Sequence, residues 1–219
     1  MVAFDESRAA EQIRGCEEEV DRDPEHFLSF KTRRQMLLHF GEPAQPLHAL
    51  EKPMIEGHRL RASLALQVAE RALPIWSAHH GGEPGDVAVP MQMLRQIVGG
   101  GDVDRGLVFD EGLGLKNHLD GGAPPSPTGF GYAYAGYAVA FGAIAAARDE
   151  MLVPMVGVTL LDIENPQEHH TYDCAAWGAA AAAGDLPWGD PNFYSATKAR
   201  DYWHWYLREA VPQAIDDVR

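Results

Sequence analysis

The 219-residue chain is poor in cysteine, in positive charge and in anything that reads as a β-strand. Its two cysteines, Cys16 and Cys174, are too few for a disulfide framework or a four-ligand zinc site. They read as reduced thiols of a cytoplasmic protein. Lys and Arg number 18 against 32 Asp and Glu, a net charge of −14. That balance excludes a general nucleic-acid binder, which needs clustered cations to neutralise phosphates, and it disfavours anionic membrane surfaces. The N-terminal MVAFDESRAAEQIRG has neither the basic nor the apolar stretch of a secretory signal. Gly99-Gly100-Gly101 lacks the Lys-Ser/Thr pair and the preceding strand of a phosphate cradle, and no G-x-S-x-G elbow occurs. Gly101-Asp102-Val103-Asp104-Arg105-Gly106 falls short of a calcium loop, because its glycine comes one place early and no distal bidentate Glu follows at the required distance. No cofactor is expected.

What is present is apolar material at helical spacing. Hydrophobic residues are 46 % and charged residues 23 %, enough apolar content for a folded core. Ala9, Ile13, Cys16 and Val20 predict a helix from Asp5 to about Arg22, with Asp23-Pro24 ending it. Phe27, Phe30, Met36, Leu37 and Phe40 mark a second segment, and Leu47 to Pro53 a loop or short turn. From about Gly57 to His80, Leu60, Leu64, Val68, Ala72, Ile75 and Trp76 form one stripe beside a second of Leu66, Ala69, Leu73 and Trp76, the wide face of a core helix. Pro74 should kink or divide it. Asp86 is placed to cap the next helix, with Met91, Leu94, Ile97 and Val98. Residues 99–127 read as a Gly-rich loop with a short helical insert at Leu113 to Leu119. Gly121 to Ala147 carries no charge, but its Ala, Gly and Tyr content and its lack of flanking belts predict a buried helix over Thr128–Glu150 rather than a membrane span. Met151 to Ile163 is strand-like without a partner strand, so extended and helical packing both stay open. Tyr172 to Ala183 and Ser195 to about Ala214 close the list of helices, the latter with Trp203, Tyr206, Leu207, Ala210 and Ala214 inward. The expectation is an all-α, single-domain irregular bundle of six or seven helices with at most one isolated strand-like segment. Within it, residues 1–56 supply N-terminal helices, 57–98 core helices, 99–127 the loop, and 128–219 the Ala-rich and aromatic helices.

Three constellations carry candidate chemistry. The acidic run Glu17, Glu18, Glu19, Asp21, Asp23 and Glu25 could steer a basic partner by long-range attraction, or could simply face water. Asp162, Glu164, Glu168, His169, His170 and Asp173 have the donor types of a divalent-metal site, and would make the chain a metal-dependent hydrolase. Their spacing fits no two-His helix motif, and Asp173 also suits the first turn of a helix. Tyr202-Trp203-His204-Trp205-Tyr206 could anchor a second copy, giving a self-associating structural protein, or could be core packed against the turn Pro187–Pro191 around Trp188.

Three segments bear a family likeness. These are LALQVAERALPIW at Leu64–Trp76 followed by PGDVAVPMQML at Pro84, HTYDCAAWGAAAAAGDLPW at His170–Trp188, and ATKARDYWHWYLREAVPQAI at Ala196–Ile215. Together they resemble an all-helical family of immunity proteins from bacterial polymorphic toxin systems. The resemblance implies a small cytoplasmic protein that binds and blocks a cognate protein toxin, with no catalysis, no direct nucleic-acid contact and no membrane. The net charge of −14 suits a toxin that itself acts on nucleic acid, since an acidic inhibitor can occupy its basic cleft.

Overall fold

The computed structural model describes residues 6–39, 50, 53–83, 85–121, 130–149 and 173–218, and among these no strand occurs. Helix α1 is Glu6–Arg22 and α2 is Phe30–Leu38. Ser29 caps α2, its hydroxyl accepting from the Thr32 N–H. Helix α3 spans Glu56–His79. Its Leu60, Leu64, Val68, Ala69, Ala72 and Trp76 are buried, as their spacing predicts. Pro74 neither divides nor ends it. The proline lies on the exposed face of the helix, away from the core contacts.

Helix α4 is Ala88–Val98, entered through a 3₁₀ turn at Gly85–Val87. The expected cap at Asp86 is not made: Val87 holds the cap position and no side chain bonds the first turn. Asp86 instead lies 3.4 Å from His118. Helix α5, Arg105–Asp120, corrects the reading of 99–127 as a loop with a short insert. Asp104 caps it, accepting from the Gly106 N–H at 2.7 Å. Val108, Gly112, Leu115 and Leu119 form its buried stripe, at helical spacing with a glycine inside it. Gly112 is required there, because a Cβ would stand 2.9 Å from the Ala140 carbonyl oxygen of the neighbouring helix.

That neighbour is α6, Gly131–Arg148, buried on all sides as the uncharged run predicts. Helices α3, α4 and α5 pack on it, as does α7, Cys174–Ala183. Asp173 caps α7 and Gly184 ends it in the left-handed region, φ 93°. Helix α8, Ala196–Trp205, is capped by Ser195 and runs through a π-helical stretch, Tyr206–Ala210, into α9, Val211–Val218. With α8 to α9 taken as one rod, the described residues form eight helices rather than six or seven. The addition comes from α5. The strand-like run 151–163 lies outside the described residues.

A contiguous apolar cluster joins these elements, from Cys16 of α1 through α6 to Ala214 of α9. Two fully enclosed ion pairs cross it. Arg61 of α3 donates two bonds to Asp149, at 2.5 and 2.7 Å, and both side chains are 0 % exposed. Arg33 of α2 donates to Asp173 at 2.8 Å while its guanidinium lies over Phe27, Phe30 and Trp203. His58, buried beside Asp149, hydrogen-bonds the Ala146 carbonyl at 2.8 Å, and burial lowers its pKa.

Removing one member of an enclosed pair leaves a charge without compensation. Asp149→Ala should therefore cost about 3–5 kcal/mol, and the double change Arg61→Met with Asp149→Leu should recover most of that loss. Urea unfolding of the three proteins measures both effects. A loss below about 1 kcal/mol for Asp149→Ala, the level of an exposed pair, would contradict this account.

Candidate partner-binding surface

The acidic run spans the end of α1 and the turn after it, and most of its carboxylates are engaged within the protein. Glu17 accepts from Arg208 of the π-helical stretch. One turn on, Asp21 accepts from Arg200 at 2.8 Å and lies 3.1 Å from His204 Nε2. Glu17 and Asp21 of α1 thus face Arg200, His204 and Arg208, two rows at four-residue spacing on facing helices. Glu18 pairs with Arg22 on its own helix. Glu19 accepts from the Ser29 N–H at 2.8 Å and from the Thr32 hydroxyl, which fixes the start of α2. Asp23 accepts from the backbone N–H groups of Glu25 and Phe27, closing the turn. Glu25 is exposed, and its carboxylate makes no ion pair among the described residues. The run therefore joins α1 to α2 and α8, with Glu25 at its open end.

Of the candidate metal ligands, Asp162, Glu164, Glu168, His169 and His170 lie outside the described residues. Asp173 is described, and both its oxygens are occupied: Oδ2 by Arg33, Oδ1 by the Ala176 N–H at 2.8 Å. Among the described residues no group of three His, Cys, Asp or Glu side chains converges on a metal position. The thiols are buried as well. Burial pushes Cys16 up to about 12 and raises Cys174 well above the ordinary thiol range, which keeps both protonated.

The aromatic run is interior. Tyr202, Trp203 and Tyr206 are buried, and Trp205 is half-buried beneath the Arg71 guanidinium, 4.2 Å from its ring. Gly178 of α7 makes room for Tyr202, since a Cβ there would stand 2.3 Å from the phenol oxygen. Of the run, His204 and Trp205 keep part of their surface exposed.

Two features escaped the sequence reading. A cleft of about 750 Å³ opens between α3, the end of α4 and α9, with Arg59, Arg95 and Arg105 on its rim. Its charges are partly matched from within: Arg95 pairs with Glu70, and Asp217 accepts from Ser63 on its wall. The second is the exposure of Trp188 in the turn after α7. Trp188, expected as a packing partner of the aromatic run, does meet Phe27 edge-on, yet it remains 43 % exposed.

The architecture defines a class before any name does. The described residues are helices joined by turns, and the buried Arg33 and Arg61 are paired within the fold. Among the described helices none is long and apolar enough to cross a membrane. The model of the Imm5 immunity protein family matches residues 13–213, nearly the whole chain, and the chain belongs to that family. A search of curated proteins finds no match.

The ladder between α1 and α8 has a pH signature. Hydrogen bonds from Arg200 and then His204 hold the Asp21 carboxyl below its ordinary value. A carboxyl lowered in the folded state adds stability above its unfolded value of about 4, and that contribution is lost as pH falls through the folded value. The Asp21→Asn variant should therefore lack part of the stability loss that the wild type shows below about pH 4. Chemical unfolding at pH 7 and pH 3 reads the difference, and identical acid losses in the two proteins would contradict the ladder.

Proposed function

We propose that this protein binds a cognate bacterial toxin and neutralises it by occupying the surface the toxin needs. The observation that carries the reading is the immunity-family match over residues 13–213. The interior supports it. Asp149, Asp173 and Asp185, the buried carboxylates among the described residues, each accept hydrogen bonds within the chain, which suits a rigid binding body. We further propose that the toxin acts on nucleic acid. A cleft that holds RNA or DNA is basic, and a chain of net charge −14 complements it. Because most of the acidic run is paired internally, the attraction comes from the summed charge of the molecule more than from that run. Two buried thiols held protonated fit a protein that works in the cytoplasm.

Affinity capture of the tagged chain from its native cells, washed at 50 mM and at 500 mM salt, tests this. The expected result is one basic protein at 1:1 stoichiometry, associating at least tenfold more slowly at the higher salt. Its cleavage of RNA or DNA should stop when the chain is added. A stoichiometric partner with no activity toward nucleic acid would overturn the substrate part of the proposal. The absence of any stoichiometric partner would overturn the toxin-binding reading.

A further inference from the structure

His58 stands apart from the other described histidines. It is 1 % exposed, whereas His26, His39 and His204 are half-buried and His79, His80 and His118 are exposed. It lies in the first turn of α3 and reaches the last turn of α6, where Nε2 meets the Ala146 carbonyl oxygen at 2.8 Å. A carbonyl only accepts, so Nε2 carries the hydrogen and the neutral ring makes the bond without a second proton. One turn further along α3, Arg61 holds Asp149 by two bonds of 2.5 and 2.7 Å. Asp149 ends α6 in the left-handed region, at φ 64°. Non-glycine residues enter that region seldom and keep to it where their neighbours fix them. The start of α3 and the end of α6 are thus joined through one imidazole and one ion pair, both enclosed.

The surroundings of the ring decide what a second proton does. Burial opposes a charge there more than any neighbour does, and it holds the pKa of His58 below the ordinary histidine value. Among the described residues, the charged groups that act on the ring are Asp149 at the end of α6, Arg105 at the start of α5 and Arg61 on α3. Asp149 favours the charged ring, yet both its oxygens already accept from Arg61. Arg105 and Arg61 oppose it. An imidazolium would also bring a new N–H at Nδ1 into a place that water scarcely reaches. Neither cost exists in the unfolded chain.

We infer that His58 is an acid-operated release of the α3–α6 junction: a second proton on its ring drives the end of α6 away from the start of α3 and frees Asp149 from its left-handed turn. In the unfolded chain the ring takes that proton near its ordinary value of 6.5, and in the folded chain only at lower pH. Between the two values the unfolded state binds more protons, so this contribution to stability is complete above about pH 6.5 and is lost as the pH falls through the window. Within it the folding constant drops by up to about tenfold per pH unit. The loss from the Asp21 ladder starts below about pH 4, so the two begin at different pH.

His58→Gln keeps an N–H for the Ala146 carbonyl and removes the titration. Chemical unfolding of the full chain at pH 7 and pH 5 should show a folding constant that falls at least about fivefold more in the wild type than in His58→Gln. Two measurements need only the wild type. The His58 ring resonance, followed by NMR in the folded protein, should titrate with a midpoint below the ordinary 6.5. Hydrogen exchange should show the Asp149 amide, bonded to the Ala145 carbonyl at 2.7 Å, losing protection at least about fivefold from pH 7 to pH 5, while the Gly184 amide that ends α7 keeps its own. Equal pH dependence in the two proteins, a folded-state midpoint at or above 6.5, or an Asp149 amide equally protected at both pH values overturns the inference. If His58→Gln does not fold, the two wild-type measurements decide. Every readout uses the chain alone, so the result is independent of the toxin-binding reading.

Discussion

The fold depends on how closely other helices approach α6. That helix is uncharged through Ala147 and is made largely of alanine and glycine, so backbones rather than long side chains meet at its surface. A Cβ at Gly136 would stand 2.7 Å from the Trp76 ring, one at Gly112 would stand 2.9 Å from the Ala140 carbonyl oxygen, and one at Gly142 would touch the Ala65 carbonyl oxygen at 3.4 Å. Such contacts give dispersion and packing in place of bulk. Small side chains also contribute little transfer free energy each. Larger apolar groups are supplied from around it, by Trp76 and Leu64 on α3, Leu94 on α4, and Leu115 and Leu119 on α5, beside its own Tyr132, Tyr134 and Ile144.

Charge is arranged by the same economy. Arg61–Asp149 and Arg33–Asp173 are enclosed, so each must be matched where it lies. Outside the core, Glu17 and Asp21 answer Arg200, His204 and Arg208, which adds to the packing of Cys16 and Val20 in joining α1 to α8. An acidic protein thus uses a good part of its negative side chains to hold its own elements. What reaches a partner is the remaining net charge, which acts over a Debye length and speeds encounter, together with whatever rigid apolar feature the surface offers at contact.

Much of this was legible in the residues. The stripes of α1 and α3, the all-round burial of α6, and the inward face Trp203, Tyr206, Leu207, Ala210 and Ala214 follow from periodicity and composition. Helix α5 was hidden because Gly106, Gly112 and Gly114 read locally as loop, while Gly112 is set by a contact with α6 that no local pattern records. Pro74 looked disruptive because sequence does not say which face of α3 meets water. The acidic run looked like an open patch because its partners, Arg200 and Arg208, lie far along the chain. Trp188 read as packing because one edge of it does pack, and its exposure depends on where Asp185 pins the turn.

Growth under intoxication shows whether binding neutralises the toxin. Cells that carry the captured partner under an inducible promoter would be followed with and without this chain expressed in the same cytoplasm. The account predicts arrest on induction and full growth when the chain is present, in proportion to its molar ratio up to one. Arrest that persists with the chain present in excess and bound to the partner would contradict it, because binding without protection is not immunity.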